Sequence, residues 1–165
     1  MKIVKWVEIL GVVFMLAFPF ALQAQTQPAM PAAEVIPEAE IRAFIERYVD
    51  CYKALDINAY MALFSKEAVE NRMLAYADIE ALYERTFKMT NQFVYHLYVQ
   101  AIQPYTKSAF VCGRYEIIQT LKADNEMRAY RGNIQWDLVR EDGSLKIRRI
   151  NFGRDIEEKK FWKNL

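Results

Sequence analysis

Tyr130-Arg131-Gly132-Asn133-Ile134-Gln135-Trp136-Asp137-Leu138 alternates apolar and polar residues with a period of two. On an extended strand Tyr130, Gly132, Ile134, Trp136 and Leu138 share one face, while Arg131, Asn133, Gln135 and Asp137 share the other. Such a strand offers one face to a core and one to water. The same period runs from Asn91 onward and predicts four strands, 93–103, 108–121, 127–140 and 145–152. They are separated by turn-formers at Gln103-Pro104, Ala123-Asp124-Asn125 and Glu141-Asp142-Gly143. The first of these strands differs from the others, with Phe93, Tyr95, Leu97 and Val99 on one side and Val94, His96, Tyr98 and Ile102 on the other. Both of its faces call for cover, either by a partner surface or by a folded-back tail.

Upstream of Asn91 the period is helical. Ile41, Phe44, Ile45, Tyr48, Val49, Tyr52 and Leu55 form one broad stripe over four turns. Asp56 is positioned to cap a short second helix that buries Tyr60, Met61, Leu63 and Phe64. Residues 65–76 read as a short hairpin or an irregular segment, after which Asp78 is expected to cap a third helix with Ile79, Leu82, Tyr83 and Phe87 inward. Helices followed by consecutive strands predict an α+β fold, three N-terminal helices on an antiparallel sheet.

Further toward the N-terminus, Lys2 and Lys5 precede an uninterrupted apolar stretch, Ile9 to Phe18, with Ala24 at a plausible cleavage point. This predicts a secretory signal peptide over 1–24. The apolar stretch is shorter than the roughly 20 residues a spanning helix needs and is followed by Pro19, so no stable membrane anchor is expected. Residues 25–37, with three prolines, read as a linker, residues 38–153 as the folded domain, and residues 154–165 as a charged tail. The tail carries Phe161-Trp162 and reads either as a short helical end or as a docking element. The expected location is periplasmic or extracellular. There a bridge between Cys51 and Cys112 is chemically permitted, but Cys112 lies on the face opposite Val111 and Gly113, and two buried thiols are the other reading.

Charge excludes several partners. Lys and Arg number 22 against 21 Asp and Glu, with no basic stripe, so nucleic acid is not expected. One histidine and two cysteines cannot build an all-His/Cys zinc site, and neither a metal nor any other cofactor is implied.

Several short strings, in this order of elements, resemble the nuclear-transport-factor-2-like, SnoaL-like superfamily: Arg47-Tyr48-Val49, Ala62-Leu63-Phe64-Ser65, Ala68-Val69-Glu70-Asn71, Gly113-Arg114-Tyr115, Arg131-Gly132-Asn133-Ile134-Gln135-Trp136 and Glu141-Asp142-Gly143. The resemblance spans Glu38 to Gly153 and implies that the sheet is strongly bent into a cone-shaped half barrel, whose mouth often holds a small apolar ligand. Within the superfamily, ketosteroid isomerases are the informative comparison. Tyr48 matches the position of their oxyanion-binding tyrosine. Their catalytic aspartate matches Arg72 without a gap, and Glu70 or Asn71 with one. Their second oxyanion donor corresponds to Asn133 or Gln135. Arginine cannot abstract a proton at neutral pH, so ketosteroid isomerisation is not expected.

The candidate ligand-binding residues are Tyr48, Tyr52, Phe64, Tyr83, Phe87, His96, Tyr115 and Trp136, aromatic residues whose other reading is simply core. His96 is either an acid–base group or a structural hydrogen-bonder on the sheet, and Glu70 either a cavity carboxylate or a solvated strand residue. Arg114 and Arg131 are expected to pair with acidic neighbours such as Glu116 on the sheet surface. The function expected is that of an exported cone-fold domain binding a small apolar ligand or another protein without catalysis, with a homodimer formed through the sheet. An isomerase, dehydratase or cyclase using the cone cavity is the alternative. An enzyme calls for a cavity with two polar groups of opposed proton preference, a binding module for a filled cavity and an apolar outer sheet face.

Overall fold

Pro37 leads into the first helix, α1 (Glu38–Lys53), and the Glu40 amide donates to the Pro37 carbonyl at 3.0 Å. The structure, a computed structural model, describes residues 35–155, so the segment read as a signal peptide, most of the linker and residues 156–165 lie outside the described residues. Ile41, Phe44, Ile45, Tyr48 and Tyr52 of α1 are buried, with Val49 and Leu55 half-buried beside them, which is the stripe the spacing predicts. Ile36, just ahead of α1, is also buried, and its amide donates to the Tyr105 carbonyl at 3.0 Å.

The short helix α2 (Ile57–Met61) starts where expected, the Asp56 carboxylate accepting the Ala59 amide at 3.0 Å. The segment 65–76 resolves into strand β1 (Phe64–Glu70) and a two-residue strand β2 (Leu74–Ala75) paired antiparallel with it. Helix α3 (Tyr76–Met89) begins two residues earlier than its predicted cap. Asp78 lies inside its first turn and its carboxylate accepts the Ala75 amide at 3.3 Å, so an acidic residue serves the helix N-terminus from within rather than from the capping position.

The four later strands are β3 (Thr90–Pro104), β4 (Ser108–Leu121), β5 (Met127–Glu141) and β6 (Ser144–Arg154). All six form one curved, unclosed sheet in the order β2-β1-β6-β5-β4-β3. Neighbours are antiparallel except β1 and β6, which run parallel, with Glu70 beside Ile150. The antiparallel sheet expected from sequence therefore contains one parallel pair. Nothing local to β1 signals this partner, which lies at the far end of the chain.

The concave face is the core. Trp136, Tyr48, Tyr60, Ile41, Ile79, Ile134 and Ile147 are almost fully buried there. The ring of Tyr48 meets Tyr52, Tyr60, Tyr95 and Trp136 at centroid distances of 5.4 to 6.4 Å, and the Tyr60 hydroxyl donates to that of Tyr48 at 3.2 Å. Edge-on and tilted ring pairs of this kind add about 0.5–1.5 kcal/mol each to plain burial. The bend of the sheet brings backbones together at glycine. A Cβ at Gly113 would lie 2.5 Å from the Tyr98 carbonyl oxygen, and one at Gly132 would fall well inside 3.0 Å of the Gly153 carbonyl oxygen.

On the convex face the charges pair across strands, Arg131 with Glu116 at 2.6 Å and Arg149 with Asp137 at 2.8 Å, while Arg114 bonds Asn133 and Asp155. In β3 it is the odd-numbered set, Phe93 and Tyr95 foremost, that turns inward, whereas Val94, His96 and Tyr98 are exposed. Cys51 and Cys112 are free: Cys51 packs with α1 against the concave-side core, and Cys112 lies on the convex row, so the sheet separates the two thiols.

Candidate functional site

Glu70, the last residue of β1, is only 5% exposed. Its position is fixed by the turn that follows. Asn71 and Arg72 both adopt left-handed backbone (φ 49° and 61°), reversing the chain so that the Met73 amide donates to the Glu70 carbonyl at 3.0 Å. The Asn71 amide donates to Ile150 at 2.9 Å, and the Asn71 side-chain oxygen accepts the Phe152 amide at 2.7 Å. These bonds staple the turn to β6, and asparagine at the first position is a residue that tolerates this backbone and bonds locally.

Above Glu70 opens a cleft of about 550 Å³. One wall comes from the helices, with Tyr52 of α1 and Leu82, Tyr83 and Thr86 of α3. The other is the inward row of the sheet, with Phe93, Tyr115, Ile117, Tyr130 and Phe152. Gln119, buried in that wall, donates to the Thr90 hydroxyl at 2.6 Å and accepts from the Tyr130 hydroxyl at 3.2 Å, and Thr90 in turn donates to the Thr86 carbonyl. Arg128 and Arg154 stand at the rim. Arg128 is paired with Glu126 at 2.8 Å, and the Arg154 guanidinium lies 4.4 Å from the centre of the Tyr130 ring.

Glu70 is the one acidic group among the lining residues, and its Oε2 is buried with no hydrogen-bond partner among the described residues. Burial pushes its carboxyl above the usual 4.5, an effect that the Tyr83 hydroxyl, by bonding to the charged form, opposes. Burial likewise raises Tyr52 and Tyr83, with the nearby Glu70 charge adding to it, so both hydroxyls stay protonated at neutral pH. Burial also raises Tyr115, and Arg154 pulls it back. The arrangement is a buried acceptor beside neutral phenol donors, at the bottom of an apolar cleft. It can take a hydrogen bond from a ligand, or hold a proton to higher pH than an exposed carboxyl does.

Of the eight predicted ligand-binding residues, Tyr52, Tyr83 and Tyr115 are brought together here. Tyr48 is not a lining residue, being 1% exposed beneath the cleft with its hydroxyl bonded to Tyr60. Phe64, Phe87 and Trp136 are buried in the core and do not line the cleft, their rings packed against Tyr60 and Tyr48. His96 is on the other side of the sheet from Glu70, because the inward row of β3 is the odd-numbered one. It lines a separate groove of about 500 Å³ between α1 and β3, with Arg42, Glu46 and Tyr98. Asn133 and Gln135 point outward from β5 and cannot serve as donors in the cleft. Among the three positions left open by the resemblance, Glu70 enters the cleft, Asn71 binds the β6 backbone and Arg72 is exposed.

Sequence reading missed Gln119, Tyr130 and Arg154. A glutamine in the buried row of β4, in step with Tyr115 and Ile117, was the available signal for the first. Arg154, read by composition as tail, is the last residue of β6. Among the described residues no group of three or more His, Cys, Asp or Glu stands together as a metal site, and no helix is long and apolar enough to cross a membrane.

No protein-family model matches the sequence, and no curated protein does. Solved structures match at the level of fold. A nuclear-transport-factor-2-like superfamily protein from Salmonella enterica serovar Typhimurium shares 16% identity at a TM-score of 0.64, over 76% of this chain and 95% of its own. A ketosteroid isomerase-like protein from Erwinia carotovora shares 18% at 0.60, over 72% and 95%. A hexachlorocyclohexane dehydrochlorinase shares 11% at 0.57, over 72% and 85%. Helices packed inside a bent six-stranded sheet, with a cleft opening between them, agree with these likenesses, and the chain has the nuclear-transport-factor-2-like fold.

Proposed function

We propose that the cleft binds a small, largely apolar molecule that places a hydrogen-bond donor against Glu70, and that it does so without chemistry. The observation that carries this reading is the buried, unpartnered Oε2 of Glu70. Leaving such a group unmet costs folding free energy of about 1–3 kcal/mol or more, a cost a ligand's donor removes. The aromatic wall supplies the apolar contact, and the ring-filled interior below it confines the ligand to the mouth. The test is a thermal-shift screen of steroid-like, polyketide-like and fatty-acid compounds. Stabilisation by an apolar compound that is lost in Glu70→Met supports the reading, and a flat response across all three classes removes it.

A second reading, proton transfer by Glu70 with Tyr83 as the neighbouring donor, is favoured by their contact in the cleft: burial raises both groups, so Tyr83 keeps its proton beside a carboxyl held above its ordinary range. It draws support from the names of two structures of the same fold, one ketosteroid isomerase-like and one a dehydrochlorinase. Turnover of a ligand found in the screen, abolished in Glu70→Gln, would establish it over simple binding.

We also propose that the protein is exported and that two copies meet through the convex sheet face at Val94 and Tyr98, both exposed. Mass spectrometry of exported protein is expected to give an N-terminus at or within a few residues of Gln25, and intact Met1 in membranes would overturn export. Sedimentation of Tyr98→Glu is expected to show a weakened dimer, and a wild type that stays monomeric at high micromolar concentration would overturn pairing.

A further inference from the structure

The reading of the cleft as a ligand site leaves the shape of the ligand open, and two side chains at opposite ends of the cleft narrow it. Glu70 sits level with Ile150 of β6. Phe152 and Arg154 follow at alternate positions of the same strand and both line the cleft, so Arg154 stands four residues from the level of Glu70. At about 3.3 Å per residue this is roughly 13 Å along the strand. Phe152 falls within this interval, and Tyr115 stands level with Arg154 through Gly132, its ring 5.6 Å from that of Phe152, so the wall between the two ends is apolar.

The two ends differ in charge and in exposure. Glu70 is a buried acceptor. Arg154 is exposed at the rim, held over the Tyr130 ring, and makes no ion pair with a described residue. Its neighbour in sequence cannot neutralise it by pairing, because the Asp155 carboxylate turns to the convex face and is taken by Arg114. Arg128, the other rim cation, is already paired with Glu126. Among the described residues the mouth therefore presents one guanidinium without an ion-pair partner, that of Arg154, whose planar fork suits a carboxylate. A cationic headgroup approaching Glu70 would have to pass both arginines, whereas a neutral hydroxyl meets no such barrier.

We infer that the ligand is a two-ended amphiphile: a hydroxyl that donates to Glu70, an apolar body on the order of 10 Å long, and a carboxylate that pairs with Arg154. This inference rests on the cleft being a ligand site, and the test separates the two. Calorimetric titration of the folded protein with four probes of one chain length, 10-hydroxydecanoic acid, decanoic acid, 1-decanol and 10-aminodecanoic acid, reads each end independently. The hydroxy acid is expected to bind about tenfold more tightly than decanoic acid or 1-decanol. Arg154→Gln is expected to weaken both neutral-ended acids about tenfold while leaving 1-decanol unchanged, and Glu70→Met to erase the difference between the hydroxy acid and decanoic acid. Arg154 is exposed, so its variant folds, and thermal unfolding of Glu70→Met checks the buried position. Binding of all four probes with equal affinity, unaffected by Arg154→Gln, would overturn the two-ended ligand while leaving the cleft a binding site. Tighter binding of the amino acid than of the hydroxy acid would overturn the hydroxyl assignment. Binding of none would overturn the two-ended aliphatic ligand, while the cleft reading itself falls only if the thermal-shift screen is flat as well.

Discussion

Gly132 on β5 and Gly153 on β6 approach so closely that the first cannot carry a side chain, while the second can: a Cβ at Gly132 would collide with the Gly153 carbonyl oxygen, and a Cβ at Gly153 meets nothing within 4 Å. Gly132→Ala is expected to push β5 and β6 apart at the rim of the cleft and to cost about 1–3 kcal/mol or more. Gly153→Ala is expected to be close to neutral. Urea midpoints of the two variants decide this, and equal midpoints would mean that the strands separate there at no cost.

Tyr48 does not line the cleft, and its hydroxyl is expected to matter to the fold rather than to a ligand there. Tyr48→Phe removes the acceptor of the Tyr60 hydroxyl and is expected to cost about 1 kcal/mol of stability, with the affinity of any cleft ligand unchanged. A tenfold loss of affinity in this variant would place Tyr48 in contact with the ligand.

Glu70 makes stability depend on pH in a definite direction. Its carboxyl is raised by burial, so the folded protein holds this proton to higher pH than the unfolded chain does. The unfolded state then binds fewer protons, and stability falls as pH climbs from the ordinary value of 4.5 to the raised one, remaining level above it. Glu70→Gln lacks this loss. Its stability relative to wild type is expected to grow across that window and to level off above it, read as the difference in urea midpoints between the two proteins. Parallel curves would show that the carboxyl is solvated.

The thiols provide a further check. With the sheet between them, Cys51 and Cys112 are expected to stay reduced or to react singly with an alkylating reagent after unfolding in air-equilibrated buffer. A mass two hydrogens lower than that of the reduced domain, with no alkylation, would require a different packing of α1 on the sheet.

The fold was legible because its signals are periodic and local. The α1 stripe, the Asp56 cap and the inward row Ile134, Trp136 and Leu138 each follow from spacing alone. The site was legible only in part. Tyr52, Tyr83 and Tyr115 have the same spacing as the core aromatics, and nothing in their neighbours distinguishes a ring at the mouth from one at the narrow end, such as Tyr48 or Trp136. The inward row of β3 was ambiguous for a similar reason: both rows carry large apolar residues, and the choice that sends His96 outward is made by α1 packing on Phe93 and Tyr95. Glu70 is placed by its turn and by β6, a strand more than seventy residues downstream, and no local pattern carries such a relationship.

That parallel pairing of β1 with β6 also sets the order in which the molecule can be completed. Asn71 and Phe152 are 81 residues apart in the chain, and closing so wide a span is slow compared with forming the helices or the β3–β4 hairpin. While the polypeptide is still growing, β1 and β2 are only a two-stranded ribbon, too small to persist alone in water. Residues 144–154 must be synthesised before β1 finds its edge, and until then Glu70 has no wall opposite it. Of the described elements, β6 and the wall it lends the cleft are the last to be made.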